Sequence, residues 1–249
     1  MAIWALRATT FSTNRMRCKI ANLIAEIPAA GGLAPRCEAY LFNGETNPDI
    51  VISEEKYRFD RYEGCSDEII AYMESAYQFY KELVNFDGFY IHASAVVKDG
   101  KAYLFSGNPG AGKSTHTRNW QAVFGDGAVV INDDKPALRR IDGTWYAYGT
   151  PWCGKDGINQ NKMAPVAGLC FLVKADHNEI RRVDTFEALQ KILGQTIYKF
   201  QNPDVLNKML GLLDLFLKEI PIYEMENLPN ADAVSLSFST MSCEAQEDI

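Results

Sequence analysis

The chain has 249 residues, 47% of them hydrophobic and 23% charged, which is enough to bury a full core without disulfide or metal staples. A formal net charge of -7 gives no general attraction to phosphate backbones or anionic lipid, and no apolar run is long enough to cross a bilayer, so neither nucleic acid nor membrane is expected as a partner. The six cysteines (Cys18, Cys37, Cys65, Cys153, Cys170, Cys243) stand apart with no C-x-x-C pair, which reads as reduced thiols in a cytoplasm.

Residues 1–17 carry basic residues and no acid, but their apolar part is too short and broken for a secretory signal. They read as a loose tail, with Met16 as an alternative start and an organelle transit peptide as the sharper reading. A strand-like run, KIANLIAEI, follows from Lys19, and across 19–59 the apolar runs broken by Pro28, Gly31, Gly32, Pro35, Gly44 and Pro48 predict small strands and turns. From Ser66 the period changes. Ile69, Tyr72, Met73, Ala76, Phe79, Tyr80 and Leu83 recur at helical spacing and predict a helix whose aromatic stripe faces the core, closed by a turn at Asp87-Gly88. A stripe facing a cofactor is the alternative.

Strands are predicted over 89–97 and 101–106, joined by a tight turn at Asp99-Gly100. A helix over 113–124 comes next, then a short buried strand over 128–131 that ends in Asn132-Asp133-Asp134. Further strands are predicted over 145–148, over 168–173 with apolar residues on both faces, and over 180–183. Two helices close the chain, over 185–196 and over 202–217, the second capped by Asn202 with Pro203 in its first turn. The expected organisation is a strand-rich segment and helix over 1–86 packing on a core over 87–243, with a frayed acidic tail over 244–249.

Between the second strand and its helix lies "GNPGAGKST", where Gly107, Gly112, Lys113 and Ser114 fit the spacing G-x-x-x-x-G-K-[ST]. Glycines there let consecutive backbone N–H groups turn inward around phosphate oxygens at a helix N-terminus. The expected phosphate cradle is therefore Gly107, Asn108, Pro109, Gly110, Ala111, Gly112, Lys113, Ser114 and Thr115, with Lys113 on the β and γ phosphates. The Ser114 hydroxyl stands where Mg²⁺ would bridge those same phosphates. Asp133 and Asp134 end the next strand, where such a site needs a carboxylate for the metal. A second acid beside the first suits a base that takes the proton of an acceptor hydroxyl, although one of the two could simply cap a turn.

His92 stands alone on its strand, which by itself reads as a core or rim histidine. His116, just after Ser114-Thr115, is placed near nucleotide, and His177 reads as a turn residue. The long irregular loop "YGTPWCGKDGINQNKMAPVAG" carries Trp152, Lys155, Asn159, Asn161 and Lys162, and a loop of this length tends to be functional. Lys155 has two readings: a contact to an acceptor phosphate or the γ phosphate, or a solvated loop lysine.

The segments "YIHASAV", "GNPGAGKST", "VVINDDKPAL" and "YGTPWCGKDG", followed by "GLCFLV", together resemble the HPr kinase/phosphorylase-related kinases of the phosphoenolpyruvate carboxykinase-like superfamily, over about residues 89–183. The resemblance implies an α/β fold in which a mixed sheet curls in barrel-like form with helices packed mainly on one side. It implies an ATP- and Mg²⁺-dependent serine-type kinase, with His92 as its active-site histidine, residues 107–115 as its phosphate loop, and Asp133 and Asp134 as its paired aspartates. One aspartate then serves the metal and the other is the base; Asp133 is assigned to the metal and Asp134 to the base, with the order open. True HPr kinases carry serine at the place of Pro109 and an acid at the place of Thr115, and the stretch tied to their phosphorylase activity has no counterpart here. The acceptor is therefore expected to be a serine-like hydroxyl on a protein, a peptide or a free small molecule. An ATP-binding regulatory or assembly module is the alternative, and a carboxykinase-like lyase fits poorly because the chain is short and lacks an arginine cluster. A homo-oligomer is left open.

Overall fold

The computed structural model describes residues 14–29, 31–59, 62–197 and 200–243. It begins with a hairpin, β1 (Arg15–Ile20) against β2 (Leu23–Pro28), turned at Ala21 and Asn22 with φ of 51° and 60°. The run KIANLIAEI is therefore two strands, because its turn uses an alanine in the left-handed region, a conformation that costs an L-residue about 1–2 kcal/mol and leaves no glycine signal. Arg15, Met16 and Arg17, read from sequence as tail, belong to β1; residues 1–13 of that tail and the acidic end fall outside the described residues. A short helix, α1 (Ala34–Cys37), precedes β3 (Ile50–Val51), which joins β2 in parallel to make a three-stranded sheet. The Ser66 hydroxyl caps the next helix, α2 (Asp67–Leu83), whose Ala76, Phe79, Tyr80 and Leu83 pack on that small sheet together with Tyr148 and Trp152.

After α2, Asp87 (φ 56°) turns the chain into the strands of a nine-stranded mixed sheet. These are β4 (Gly88–Tyr90), β5 (Ala93–Lys98), β6 (Lys101–Ser106), β7 (Ala128–Asn132), β8 (Ala137–Ile141), β9 (Thr144–Tyr148), β10 (Met163–Lys174), β11 (Glu179–Arg182) and β12 (Ile222–Asn227). Between them and after them run α3 (Lys113–Phe124), α4 (Thr185–Leu193), α5 (Pro203–Glu219) and α6 (Ala231–Cys243). The main path is β4-β8-β9-β10-β6-β5-β7, and β12 joins the other side of β10 and carries β11. Strand β10 is the hinge of this arrangement. Its first residues pair antiparallel with β9, while its later ones run parallel to β6 and β12, so the sheet changes course along one long strand and curls as a half-barrel.

The helices do not gather mainly on one side. Leu104, Leu169 and Phe171 face α4 and α5 through Ile192, Met209, Leu213 and Phe216, whereas their neighbours Tyr103, Phe105 and Cys170 face α3 and α6 through Trp120, Val234 and Met241. Strands that are apolar at every position must bury both faces, and this requirement places helices on both. Nor do two helices close the chain: β12 and α6 follow, the latter started by the Asn230 side chain accepting from the Ala233 N–H at 3.0 Å. The predicted strand over 89–97 is interrupted at Ile91 and His92, the place where the candidate site lies.

Candidate functional site

Buried β6 delivers the chain at Ser106 into the glycine loop. A Cβ on Gly107 (φ 140°) would lie 2.8 Å from the Leu172 carbonyl oxygen of β10, so only glycine lets the loop leave the strand there. Gly112 (φ 101°) turns the chain into α3, and no side chain caps that helix. Its first N–H groups are left for whatever sits in the loop, which is the arrangement that favours an anion. Asn108, Pro109 and Gly110 form the exposed tip, Ala111 and Ser114 are half-buried, and Thr115 is exposed. Lys113 is buried and bonds the carbonyl of Gly107 at 3.0 Å. Burial lowers its pKa, while the charge of Asp134 acts against that shift, which brings loop and acid into one electrostatic unit.

The acids are held by Asn132, the last residue of β7. Its Oδ1 accepts from the backbone N–H groups of Asp134 (2.9 Å) and Lys135 (2.6 Å), and its Nδ2 donates to the Thr150 carbonyl at 3.0 Å. Asp134 faces His92, with Oδ1 2.9 Å from Nε2, and its other oxygen is paired with the Lys135 ammonium. His92 is pinned through its own backbone: its N–H donates to the Gln195 carbonyl at 2.7 Å and its carbonyl accepts from the Ser106 hydroxyl at 2.7 Å. Burial opposes the charge on Asp134, but the His92 bond and Lys135 outweigh it and hold the carboxyl well below the usual carboxylate range.

Asp133 is set differently. It is 6% exposed, accepts the Gly154 N–H at 2.5 Å, and has no cationic side chain paired with it among the described residues. Burial raises its pKa in spite of that bond. A buried carboxylate with this little compensation is costly, and a divalent cation beside it would offset the cost. Asp133 and the Ser114 hydroxyl are both hard oxygen donors, the chemistry that Mg²⁺ takes.

The irregular loop is built into the core at one end and open at the other. Gly149 is squeezed so closely that a Cβ would lie 1.8 Å from the Gln160 carbonyl oxygen, and Trp152, fully buried, donates to the Ser75 hydroxyl at 3.0 Å. The Cys153 carbonyl accepts from Tyr72 (2.6 Å) and Arg36 (2.9 Å), and Asp156 pairs with Arg118 of α3. Lys155 stays exposed at the rim beside Gly154 and makes no ion pair with the other predicted site residues.

Beside a small recess of about 170 Å³ lined by Tyr90, His92, Asp134 and Lys135, two larger ones flank this centre. One, of about 640 Å³, has Asp134 and Lys135 in its wall together with Ile69, Tyr72, Met73 and Tyr80 of α2. Five of the seven residues of the stripe read as core-facing, Ile69, Tyr72, Met73, Ala76 and Tyr80, therefore line a cavity. The other, of about 380 Å³, lies between Ala111, Gly112 and Thr115 on one side and Lys174, Asn227 and Pro229 on the other. Asn227 is 5% exposed, and its Oδ1 is buried with no hydrogen-bond partner.

His116 both borders the recess beside the glycine loop and packs in the core. Its ring is buried against Phe105 and Trp120, accepts the Trp120 Nε1–H at 3.2 Å, and is pushed down to about 4 by burial. His177 sits in an exposed cluster with Asp176 and Glu226. Sequence reasoning missed Lys135, Arg36, Thr150 and Asn227; only Lys135, adjacent to the two acids, carried a local signal.

A family model described as "SynChlorMet cassette protein ScmC" matches residues 61–208, more than half of the chain. No curated protein matches it. Among solved structures, the chain is similar to the Hpr(Ser) kinase/phosphatase from Coxiella burnetii, at 16% identity and a TM-score of 0.36, over 63% of this chain and 90% of that one. No helix among the described residues is long and apolar enough to cross a membrane.

Proposed function

The chain belongs to the ScmC family of SynChlorMet cassette proteins, and from its site we propose a phosphotransferase of the phosphoenolpyruvate carboxykinase-like P-loop class that uses ATP and Mg²⁺ to phosphorylate a serine-like hydroxyl. One observation carries the reading: the amide-rich loop ends on a buried lysine that senses the charge of Asp134, which is itself bonded to His92.

On this reading the triphosphate of ATP lies against the N–H groups of residues 107–115, with Lys113 turning from the Gly107 carbonyl to the phosphate oxygens. The base occupies the recess closed by Asn227. Mg²⁺ held by Asp133 and Ser114 would offset the negative charge of the β and γ phosphates. The acceptor oxygen forms a bond to the γ phosphorus while the bond from that phosphorus to the bridging oxygen breaks, so ADP leaves with the electron pair and the hydroxyl proton passes to Asp134. His92 keeps the Asp134 carboxylate aimed. Incoming phosphate competes for the Lys135 ammonium, and its departure returns basicity to Asp134. Because transferring phosphoryl groups develop little bonding to the nucleophile, positioning of the hydroxyl matters more than base strength.

A second reading, an ATP-binding module that regulates or assembles without phosphotransfer, is favoured by the same Lys135 pair, since a carboxylate held so low is a weak base. Incubation with γ-labelled ATP, Mg²⁺ and a panel of seryl peptides and free serine separates the two. Label on an acceptor, absent with Lys113→Ala, supports the kinase; hydrolysis with no labelled acceptor supports the module.

A further inference from the structure

The larger recess has a direction. Ile69 and Met73, one turn apart on α2, are 50% and 37% exposed, and the same face continues through Ala76 to Tyr80, whose hydroxyl bonds the Lys135 carbonyl beside Asp134. Single exposed apolar residues are ordinary, but these line one cavity that also has the Asp134 carboxylate in its lining. From Ile69 to Tyr80 the helix rises about 16 Å, the length of roughly five residues of extended chain. The volume of about 640 Å³ falls within the range of about 300–1,000 Å³ typical of pockets that enclose sizeable ligands. Free serine would leave most of that space, and all of the apolar wall, to water. Tyr72 and Arg36 belong to the lining themselves, stacked with the guanidinium 5.1 Å from the ring centroid and both bonded to the Cys153 carbonyl, so this part of the surface is preformed.

Building on the kinase reading, we infer that this recess is the acceptor subsite and that the acceptor is an extended seryl peptide segment carrying a bulky aliphatic or aromatic side chain within a few residues of the reacting hydroxyl. The hydroxyl meets Asp134, and the apolar side chain lies on Ile69 and Met73. The transfer step is the one already given, with the serine oxygen as the atom that bonds to the γ phosphorus.

The test uses the full chain, Mg²⁺ and γ-labelled ATP with short synthetic peptides whose single serine is flanked by leucine and phenylalanine or by glycine, beside free serine and a small apolar alcohol. A second measurement, anisotropy of a fluorescent copy of the apolar peptide with alanine in place of serine, reads docking without transfer. The apolar peptide should show a KM about tenfold below that of the glycine-flanked one. Met73→Asp and Ile69→Asp, at exposed positions, should erase that difference and the docking while MgATP affinity is unchanged. Equal use of glycine-flanked peptide or free serine, or a preference for the small alcohol, overturns the subsite and leaves the kinase reading standing. Docking without transfer supports the subsite and overturns the kinase; neither docking nor transfer overturns both.

Discussion

The Nε2 of His92 lies 2.9 Å from Oδ1 of Asp134, joining the break between β4 and β5 to the end of β7. The contact is enforced by backbone as well as side chains, since the Ala93 N–H donates to the Asp134 carbonyl at 3.1 Å. His92→Ala removes the side-chain half alone. Phosphoryl transfer should fall by about a hundredfold, in the range typical of a lost acid–base partner, with ATP affinity kept. Single-turnover transfer beside calorimetric ATP binding checks both halves of that statement.

Asp133 works against the fold for the sake of the site. Its carboxyl has a raised folded pKa because of burial, so its neutral form is the one the fold favours, and stability attached to that group is lost as pH rises through the folded value. At neutral pH and without divalent cation, Asp133→Asn should therefore melt no lower than the wild type. The same variant should lose the Mg²⁺-dependent part of the stabilisation by ATP. Thermal melts with and without MgATP decide this; a variant that melts several degrees lower without metal would contradict it.

Asn227 lines the recess beside the glycine loop and keeps a buried side-chain acceptor without a partner. Adenine offers it an exocyclic amine, whereas guanine offers a carbonyl at that edge. Removing a buried acceptor's partner costs about 1–3 kcal/mol, so wild type should favour ATP over GTP by at least about fivefold. Asn227→Ala should bring the ratio of the two affinities toward one, with tripolyphosphate affinity unaltered. Competition titrations with the three ligands measure it.

Acid lability should trace to His116. Its folded pKa of about 4 lies below the ordinary value of about 6.5, because burial disfavours the charged ring. Between those values the unfolded chain binds a proton that the folded one does not, so stability is full above about pH 6.5 and declines as pH falls towards 4. At about pH 5 the loss amounts to roughly 2 kcal/mol for this residue. Urea titrations at neutral pH and near pH 5 should show that gap in the wild type and a smaller one in His116→Gln.

The glycine loop, β6, α3 and β7 were legible because each rests on a local rule: a hairpin turn at Asp99-Gly100, a glycine spacing, a run of buried aliphatics. Strand β8 was not, although Asp142 and Gly143 (φ 48° and 83°) form the same kind of turn, because Arg139 and Arg140 disguise the strand before it. Helix α6 is rich in serine, a residue that favours caps over helix interiors, and only the packing of Ala233, Val234 and Met241 makes it helical. The α2 stripe shows a deeper limit. Helical periodicity marks which residues share a face, and Ile69 and Phe79 do, but one lines an open recess and the other is fully buried. Asn132 and Thr150, which hold the acids, are eighteen residues apart and meet only through tertiary structure.

The most direct measurement compares Asp134→Asn with the wild type for two quantities at once: the dissociation constant for MgATP and the single-turnover transfer of its γ phosphate to a seryl peptide. If Asp134 receives the acceptor proton, transfer falls by about 10²–10⁴-fold while ATP affinity stays within a few-fold. Unchanged transfer in the variant, or no binding of MgATP by the wild type, would contradict the account.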